Sequence, residues 1–152
     1  MNTLARQCQV EDILLDVDIQ NRNQLFDLVA QHLHRRHGLE EDGVADHLSK
    51  REQLGSTALG QGVAIPHARI RQLQDPVVTY VHTAQPIPFD APDGKPVSDF
   101  FLLLVPEQAT QVHLQLLADA AALLCERGFR DALRAAASAL DVRRLLLDWN
   151  RT

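Results

Sequence analysis

The side chains best placed for chemistry lie in one glycine-rich segment, residues 51–69, which reads REQLGSTALGQGVAIPHAR. Its three glycines predict tight turns around short extended pieces, because glycine adopts positive φ at little steric cost. Pro66 fixes its own φ and has no N–H, and it directly precedes His67. The apolar run at residues 63–65 predicts a buried strand end that anchors the turn. The segment therefore presents one histidine from a rigid base.

Four polar residues flank this histidine within the same segment, namely Arg51, Ser56, Thr57 and Arg69. Their guanidinium and hydroxyl groups are donors suited to phosphate oxygens, and glycine-rich backbone adds N–H donors. A neutral imidazole is a good nucleophile, and histidine is close to half neutral near physiological pH. His67 is thus a candidate phosphoryl acceptor. Spacing alone leaves open a loop histidine satisfied by a backbone carbonyl, and Arg51 as a cation that complements a helix dipole.

A second candidate histidine stands at the start of a later helix. Thr110 is a predicted N-cap, and the apolar periodicity after it predicts a helix over residues 111–127 with Gly128 as its stop. His113 lies in the predicted first turn, where free N–H groups and the helix dipole favour an anion. The position alone leaves open a solvent-exposed histidine without a function.

The strongest strand prediction is the continuous apolar run FFLLLV at residues 100–105, which is bounded by Asp99 and Pro106. Such a run is typical of a central strand buried on both faces, and it requires helices on both sides of the sheet. Residues 77–83 predict a second strand, because β-branched and aromatic residues dominate there. The proline-rich stretch 86–95, with its Asp-Gly pair, predicts a loop or tight hairpin connection. The expected fold class is α/β, with a mixed, mostly buried β-sheet flanked by helices on both faces.

Helical periodicity accounts for most of the remaining chain. A helix capped by Asn21 or Asn23 is predicted to run to His37 and to stop at Gly38. The other predicted helices cover residues 41–53, ended by Gly55, and about 129–138 and 141–149. A short helical turn or loop over residues 9–15 and a strand over 17–20 are predicted before the first helix. Residues 1–152 are expected to form a single domain.

Composition argues against several classes of function. A formal net charge of −5 over 152 residues disfavours a nucleic-acid or anionic-membrane binder, which normally carries a basic face. The sequence shows neither an early apolar segment typical of a signal peptide nor an apolar run long enough to span a membrane, so the cytoplasm is the expected location. Cys8 and Cys125 lack disulfide or zinc spacing.

Three histidines, His32, His34 and His37, crowd the end of one predicted helix. Positions 32 and 34 point to different helix faces, and no two of the three are four residues apart. Cations that complement the helix C-terminus are therefore favoured over a metal site.

The segment G-S-T-x-x-G-x-G-x-A-I-P-H that ends at His67 resembles the active-site segment of the type-2 enzyme IIA domains of the bacterial phosphoenolpyruvate-dependent phosphotransferase system. The stretch VPEQATQVHLQLLA around His113 resembles the second motif of that family. The likeness is greatest to the stand-alone nitrogen-branch enzyme IIA, and it spans about residues 10–148. One departure is Ala68, because many relatives have glycine after the active histidine. Alanine is expected to restrict the turn there.

This resemblance implies roles for the candidate residues. His67 would accept a phosphoryl group from a small carrier protein resembling HPr, and His113 would lie beside it. Arg51 and the hydroxyls of Ser56 and Thr57 would stabilise the phosphoryl oxygens by positioning and electrostatics. The scheme requires no metal or cofactor.

The nitrogen branch further implies a regulator that binds target proteins according to its phosphorylation state. One alternative is a sugar-specific enzyme IIA that passes phosphate to a IIB domain. Without the resemblance, a plain ligand-binding α/β module remains open.

Overall fold

The computed structural model describes residues 3–108 and 110–149, apart from the side chains of Thr3 and Val112. The helices are α1 (Thr3–Gln7), α2 (Arg22–His37), α3 (Glu41–Gln53), α4 (Gln111–Cys125), α5 (Arg127–Ala135) and α6 (Ala139–Asp148). The strands are β1 (Ile13–Val17), β2 (Ala58–Gly60), β3 (Val63–Ala64), β4 (His67–Ile70), β5 (Val77–Ile87) and β6 (Val97–Pro106).

Strand β6 lies inside the sheet and contains the apolar run FFLLLV. It pairs antiparallel with β5 on one side, and parallel with both β3 and β4 on the other. Strand β1 joins β5 in parallel, and β2 joins β3 antiparallel, so the six-stranded sheet is mixed. Residues 100–104 are 0% exposed, which confirms the predicted central strand.

The two faces of β6 contribute to two separate hydrophobic cores. Phe100, Leu102 and Leu104 pack in the core that contains the buried residues of α2 and α3. Phe101 and Leu103 pack in the core that contains the buried residues of α1, α4, α5 and α6. Because successive side chains of a strand point to opposite faces, one apolar run supplies both cores. The predicted α/β fold, with helices on both faces of the sheet, is confirmed.

Helix α2 begins and ends as its sequence predicts. The side chain of Asn21 accepts a hydrogen bond from the Gln24 N–H at 2.9 Å, and Gly38 ends the helix in the left-handed region with φ 70°. Two of the histidines near its end make structural hydrogen bonds. The Nε2 atoms of His32 and His37 lie 2.8 and 2.9 Å from the two carboxylate oxygens of the buried Asp12. This cluster ties the end of α2 to the start of β1.

The predicted positions of the turn and the strand before α2 are wrong. The strand runs over Ile13–Val17 instead of residues 17–20, after a single 3-10 turn over Val10–Asp12. Ile13 and Leu14 pair in parallel with Tyr80 and Val81 of β5, so the apolar residues assigned to a turn form the strand. The alternation over residues 17–20 is too short to decide the register.

Several predicted boundaries after α2 are also wrong. Gly128 does not end α4, because that helix stops at Cys125 and Gly128 lies in the first turn of α5. Strand β5 continues to Ile87, into the proline-rich stretch predicted as a loop, because Ile87 still pairs with Val97. Helix α3, by contrast, spans Glu41–Gln53 as predicted, and Gly55 directly follows its C-cap, Leu54. The two last helices begin two residues earlier than predicted.

Candidate functional site

The glycine-rich segment forms a tight hairpin between β2 and β3. Gly60, Gln61 and Gly62 all have positive φ, at 87°, 59° and 79°. Arg134 of α5 holds this turn, because its Nη2 donates to the Gln61 carbonyl at 2.6 Å. A Cβ atom added to Gly62 would lie 2.9 Å from that same Nη2. On the other side, the Gln61 N–H donates to Asp93 at 2.9 Å. The turn is therefore fixed from both sides.

The backbone that leads from β3 to His67 is held equally firmly. The Ile65 N–H donates to the Thr57 carbonyl at 3.1 Å, and the Leu103 N–H of β6 donates to the Pro66 carbonyl at 2.9 Å. Ile65 and Pro66 are both buried. His67 then opens β4, whose next residues pair with the end of β6. The rigid base expected from Pro66 is present.

The two ring nitrogens of His67 have different partners. Nδ1 lies 2.9 Å from the Ile65 carbonyl oxygen, which can only accept, so Nδ1 carries the proton. Nε2 is 3.3 Å from Nε of Arg51, which can only donate, so Nε2 carries the lone pair. Burial lowers the pKa of His67 below its ordinary value, and the Arg51 guanidinium acts in the same direction. His67 is thus a neutral imidazole whose Nε2 lone pair accepts from Arg51 at 3.3 Å and becomes a nucleophile when that contact is exchanged for a phosphoryl group.

Arg51 reaches this position from the last turn of α3. Its Nη1 donates to the Gly55 carbonyl at 2.9 Å while its Nε contacts His67. The guanidinium is therefore directed at the glycine-rich segment, whereas a cation that only complements the helix dipole needs no such contact. A half-buried guanidinium next to the nucleophilic nitrogen can bind the oxygens of an arriving anion.

His113 lies in the first turn of α4 and lines the same cavity as His67 and Arg51. Its Nδ1 accepts the Thr110 N–H at 2.9 Å, so Nε2 carries the proton in the neutral ring. The cavity has a volume of about 370 Å³ and is lined by three imidazoles, two guanidiniums and apolar side chains, namely His47, Arg51, His67, Ala68, Arg69, Val105, His113, Leu114 and Leu117. Among the residues described for this lining there is no carboxylate.

Ser56 and Thr57 line a neighbouring cavity that also contains His67 and Arg51, and both hydroxyls are engaged within the loop. Ser56 Oγ donates to the Phe89 carbonyl at 2.7 Å, and the buried Thr57 Oγ1 donates to Glu52 Oε1 at 2.5 Å. The Thr57 N–H donates to the second oxygen of Glu52 at 2.9 Å. In this arrangement, the two hydroxyl protons hold the loop in shape. Their role as phosphate donors stays a prediction.

Two residues near the site are absent from the sequence-based candidates. Glu52 is a buried carboxylate that orders the loop before the hairpin, and His47 lines the cavity of His67 one helical turn before Arg51. The spacing of four residues between His47 and Arg51 on a predicted helix is a signal that could have identified the histidine. The burial of Glu52 has no such signal, because it follows an arginine on a polar helix.

Neither a metal centre nor a membrane helix is found in the part of the chain that the structure describes. Across residues 3–108 and 110–149, no group of three or more histidine, cysteine or acidic side chains is arranged to hold a metal ion. Within the same residues, no helix combines the length and the apolar character needed to cross a bilayer.

Known proteins match nearly the whole chain. Residues 6–149 match the family model described as "Phosphoenolpyruvate-dependent sugar phosphotransferase system, EIIA 2". A nitrogen regulatory protein of Pseudomonas aeruginosa is 42% identical over 125 residues, which cover 82% of this chain and 79% of that protein. A fructose-specific EIIA component of Haloferax volcanii is 34% identical over 109 residues, covering 72% and 71%.

A solved structure shows the same architecture. The crystal structure of the nitrogen regulatory protein IIA-Ntr from Neisseria meningitidis superposes with a TM-score of 0.90 at 39% identity, covering 95% of this chain and 99% of that one. The family model spans both the segment that carries His67 and the helix that carries His113. The chain therefore belongs to the type-2 EIIA family of the phosphoenolpyruvate-dependent phosphotransferase system and is a phosphoryl-transfer component of it.

Proposed function

We propose that this protein is a phosphoryl carrier that accepts phosphate on Nε2 of His67 and acts mainly as a regulator. The observation that carries the proposal is the state of the His67 ring. The Ile65 carbonyl holds the proton on Nδ1, so the lone pair lies on Nε2, where it accepts from Arg51, and both residues line one cavity with His113. A lowered pKa keeps this nitrogen unprotonated near neutral pH.

The transfer itself is an in-line displacement at phosphorus. The donor is a phosphohistidine on a carrier protein resembling HPr. Its P–N bond breaks as a bond forms between phosphorus and Nε2 of His67. The bonding electrons stay on the donor nitrogen, and the donor ring keeps a proton on its other nitrogen, so it leaves as neutral imidazole. His67 keeps its own Nδ1 proton, which the Ile65 carbonyl stabilises. Phosphoryl transfer of this kind depends chiefly on positioning and electrostatics.

The cavity supplies those electrostatics. Among the described residues, its polar lining consists of imidazoles and guanidiniums, although the chain as a whole carries a formal charge of −5. Arg51 would donate a hydrogen bond to one phosphoryl oxygen, and the Nε2–H of His113 would donate a hydrogen bond to another. Donors fixed before the reaction stabilise the charge that spreads over the oxygens in the transition state.

The regulatory role is favoured by the similarity to nitrogen regulatory proteins, at 42% and 39% identity to two relatives. A phosphoryl group adds about −1.5 to −2 charge at one surface position, which is enough to change which proteins bind there. The second candidate is a sugar-specific enzyme IIA that passes phosphate to a IIB domain. It is supported by the similarity to a fructose-specific component, at 34% identity.

Labelling tests the acceptor residue. The protein is incubated with phosphoenolpyruvate and the general phosphoryl-transfer proteins of such a system, and the phosphorylated residue is identified by mass spectrometry under conditions that preserve phosphohistidine. We expect phosphate on His67 in the wild type and none in His67→Ala. His34→Ala is the matched control, because His34 is exposed and contacts only the Leu39 carbonyl in the described structure. Acid-labile phosphate retained in His67→Ala would refute the assignment.

Partner capture separates the regulator from the transporter component. His67→Ala and the phosphomimetic His67→Asp are used to recover binding partners, and phosphorylated wild type is offered to a sugar-transport IIB domain. The regulatory reading predicts different partner sets for the two variants and slow transfer to IIB. Identical partner sets together with efficient phosphorylation of IIB would favour the transport role instead.

A further inference from the structure

His47 is the one imidazole of the described cavity lining that has not yet been given a role. It lies on α3 four residues before Arg51, so both side chains project from the same helix face. Arg51 contacts Nε2 of His67 at 3.3 Å, and His47 lines the cavity into which that nitrogen opens. The residue is exposed, so its ring is not held there by core packing.

A backbone contact orients this ring. Nδ1 of His47 lies 2.6 Å from the Gly43 carbonyl oxygen and therefore carries the proton. The structure gives Nε2 no hydrogen-bond partner among the described residues. An imidazole that is anchored through one nitrogen and open at the other is arranged like His113, whose Nδ1 is also bound to backbone. Both rings leave Nε2 available to a group in the cavity.

Arg69 adds another cation to the lining of the same cavity. It follows His67 by two positions on β4, so the two side chains leave the same face of the sheet. Arg69 makes no ion pair with any described residue, and it lines the His67 cavity together with His47. The next cavity along the surface, of about 460 Å³, is also lined by His47 and Arg69.

We propose that His47 is a third contact of the phosphoryl group on His67, with its imidazolium donating from Nε2 to a phosphoryl oxygen. The inference rests on the proposed phosphoryl transfer to His67. When the phosphoryl dianion enters the cavity, His47 takes up a proton from solvent at Nε2 and becomes a donor. Arg51 and His47 from α3 and His113 from α4 then approach the three oxygens, and Arg69 adds positive charge beside them.

Charged and titratable groups surround His47 in the two cavities that it lines. The cationic or imidazole groups are Arg51, His67, Arg69, Arg71 and His113, and the carboxylates are Glu40 and Glu107. Glu107 is paired with Arg71 at 3.1 Å. The surroundings of His47 are therefore mostly basic, which suits an anion.

The test compares His47→Ala with Lys50→Ala, which removes a full charge from the same helix. Lys50 pairs with Asp46 at 2.9 Å on the solvent side and lines neither cavity. Phosphorylation of His67 is followed with phosphoramidate, a small chemical donor that needs no partner protein, and with a phosphorylated HPr-like carrier. The ³¹P resonance of the phosphorylated protein is recorded for each variant, since a purely structural role would not move it.

We expect His47→Ala to slow transfer from both donors roughly tenfold, the effect of losing one hydrogen bond to a charged group. The ³¹P resonance should shift in His47→Ala and stay unchanged in Lys50→Ala. His47→Arg, which keeps a donor, should restore most of the rate. Equal rates and resonances in wild type and His47→Ala would overturn the inference, and so would an equal slowing in Lys50→Ala. A wild type that takes no phosphate on His67 would instead overturn the proposed function.

Discussion

The protonation of His67 follows from two neighbours, one on each ring nitrogen. The Ile65 carbonyl selects the tautomer, and Arg51 donates to the lone pair of Nε2. Partial burial and the adjacent guanidinium both lower the pKa of His67, so the neutral ring is available without a separate base. The proposed acceptor is thus in its nucleophilic form before the donor arrives.

This state gives a pH prediction. The pKa of His67 is lowered in the folded protein, whereas the unfolded chain keeps a value of about 6.5. As pH falls below that value, the unfolded state binds the proton first, so His67 reduces the free energy of unfolding between the unfolded and folded pKa values. In His67→Gln this loss should disappear, while the stability at pH 8 stays similar. NMR titration of the His67 ring and urea unfolding at several pH values measure both effects, and a ring that titrates above about 6.5 would contradict the prediction.

The contact between Thr57 and Glu52 gives a second prediction for single residues. Thr57→Val keeps the shape of the side chain but removes the hydroxyl that donates to the buried Glu52. We expect the free energy of unfolding to fall by about 1–3 kcal/mol, because the carboxylate loses a buried partner. Ser56→Ala is the comparison, since the Ser56 oxygen is only half-buried. If Thr57→Val unfolds like the wild type but transfers phosphate slowly, its hydroxyl serves the phosphoryl group instead.

At the scale of elements, the hairpin between β2 and β3 and the helix α5 act together. Gly62→Ala would place a Cβ atom 2.9 Å from Arg134 in a residue with φ 79°. Gly94→Ala is a matched control, because its φ is 73° and nothing lies within 4 Å of the added atom. Both variants carry a backbone strain of roughly 1–2 kcal/mol, and Gly62→Ala should lose about 1 kcal/mol more through the displaced arginine. Chemical unfolding compares them, and equal losses would show that Arg134 moves aside without cost.

Elements with strong local signals could be predicted from the sequence. Elements whose register or ends depend on contacts with distant residues could not. Asn21, Gly38 and the periodicity between them define α2, and the run FFLLLV identifies the central strand. The register of β1 depends on its pairing with β5, which lies more than sixty residues away in the chain. The ends of α4 and α5 depend on packing in the core that these helices share, so the sequence wrongly predicts Gly128 as the end of α4.

The site shows the same division. His67, Arg51 and His113 are candidates because their motifs are local, and all three line one cavity, whereas their roles stay predictions. The partners of Ser56 and Thr57 were not identified, because Phe89 is distant in sequence and the burial of Glu52 depends on the fold. Sequence patterns thus indicate which side chains lie at the site. The hydrogen-bond partners of those side chains can be identified only from the folded structure.

At the scale of the whole molecule, we expect a partner protein to dock over the exposed leucines near His67. Leu59 and Leu114 are 41% and 53% exposed, and each lines a cavity that contains His67. We expect Leu59→Ser and Leu114→Ser to weaken binding of the phosphoryl donor roughly 5- to 30-fold, the cost of losing part of a buried leucine. Leu140→Ser on α6 is the control, at 50% exposure and outside both cavities. Calorimetry or the KM of transfer reports the change, and an equal effect of Leu140→Ser would place the docking face elsewhere.

The segment around His67, residues 63–68, belongs to both hydrophobic cores. Val63 and Ile65 pack in the core of α4, α5 and α6, whereas Ala64 and Ala68 pack in the core of α2 and α3. A segment anchored in this way cannot detach from one core without disturbing the other. The amide hydrogens of Ile65 and Leu103 should therefore exchange with deuterium only when the entire protein unfolds. Under the proposed function, a phosphoryl group on His67 would then signal through a change of surface charge, on a base that we expect not to rearrange.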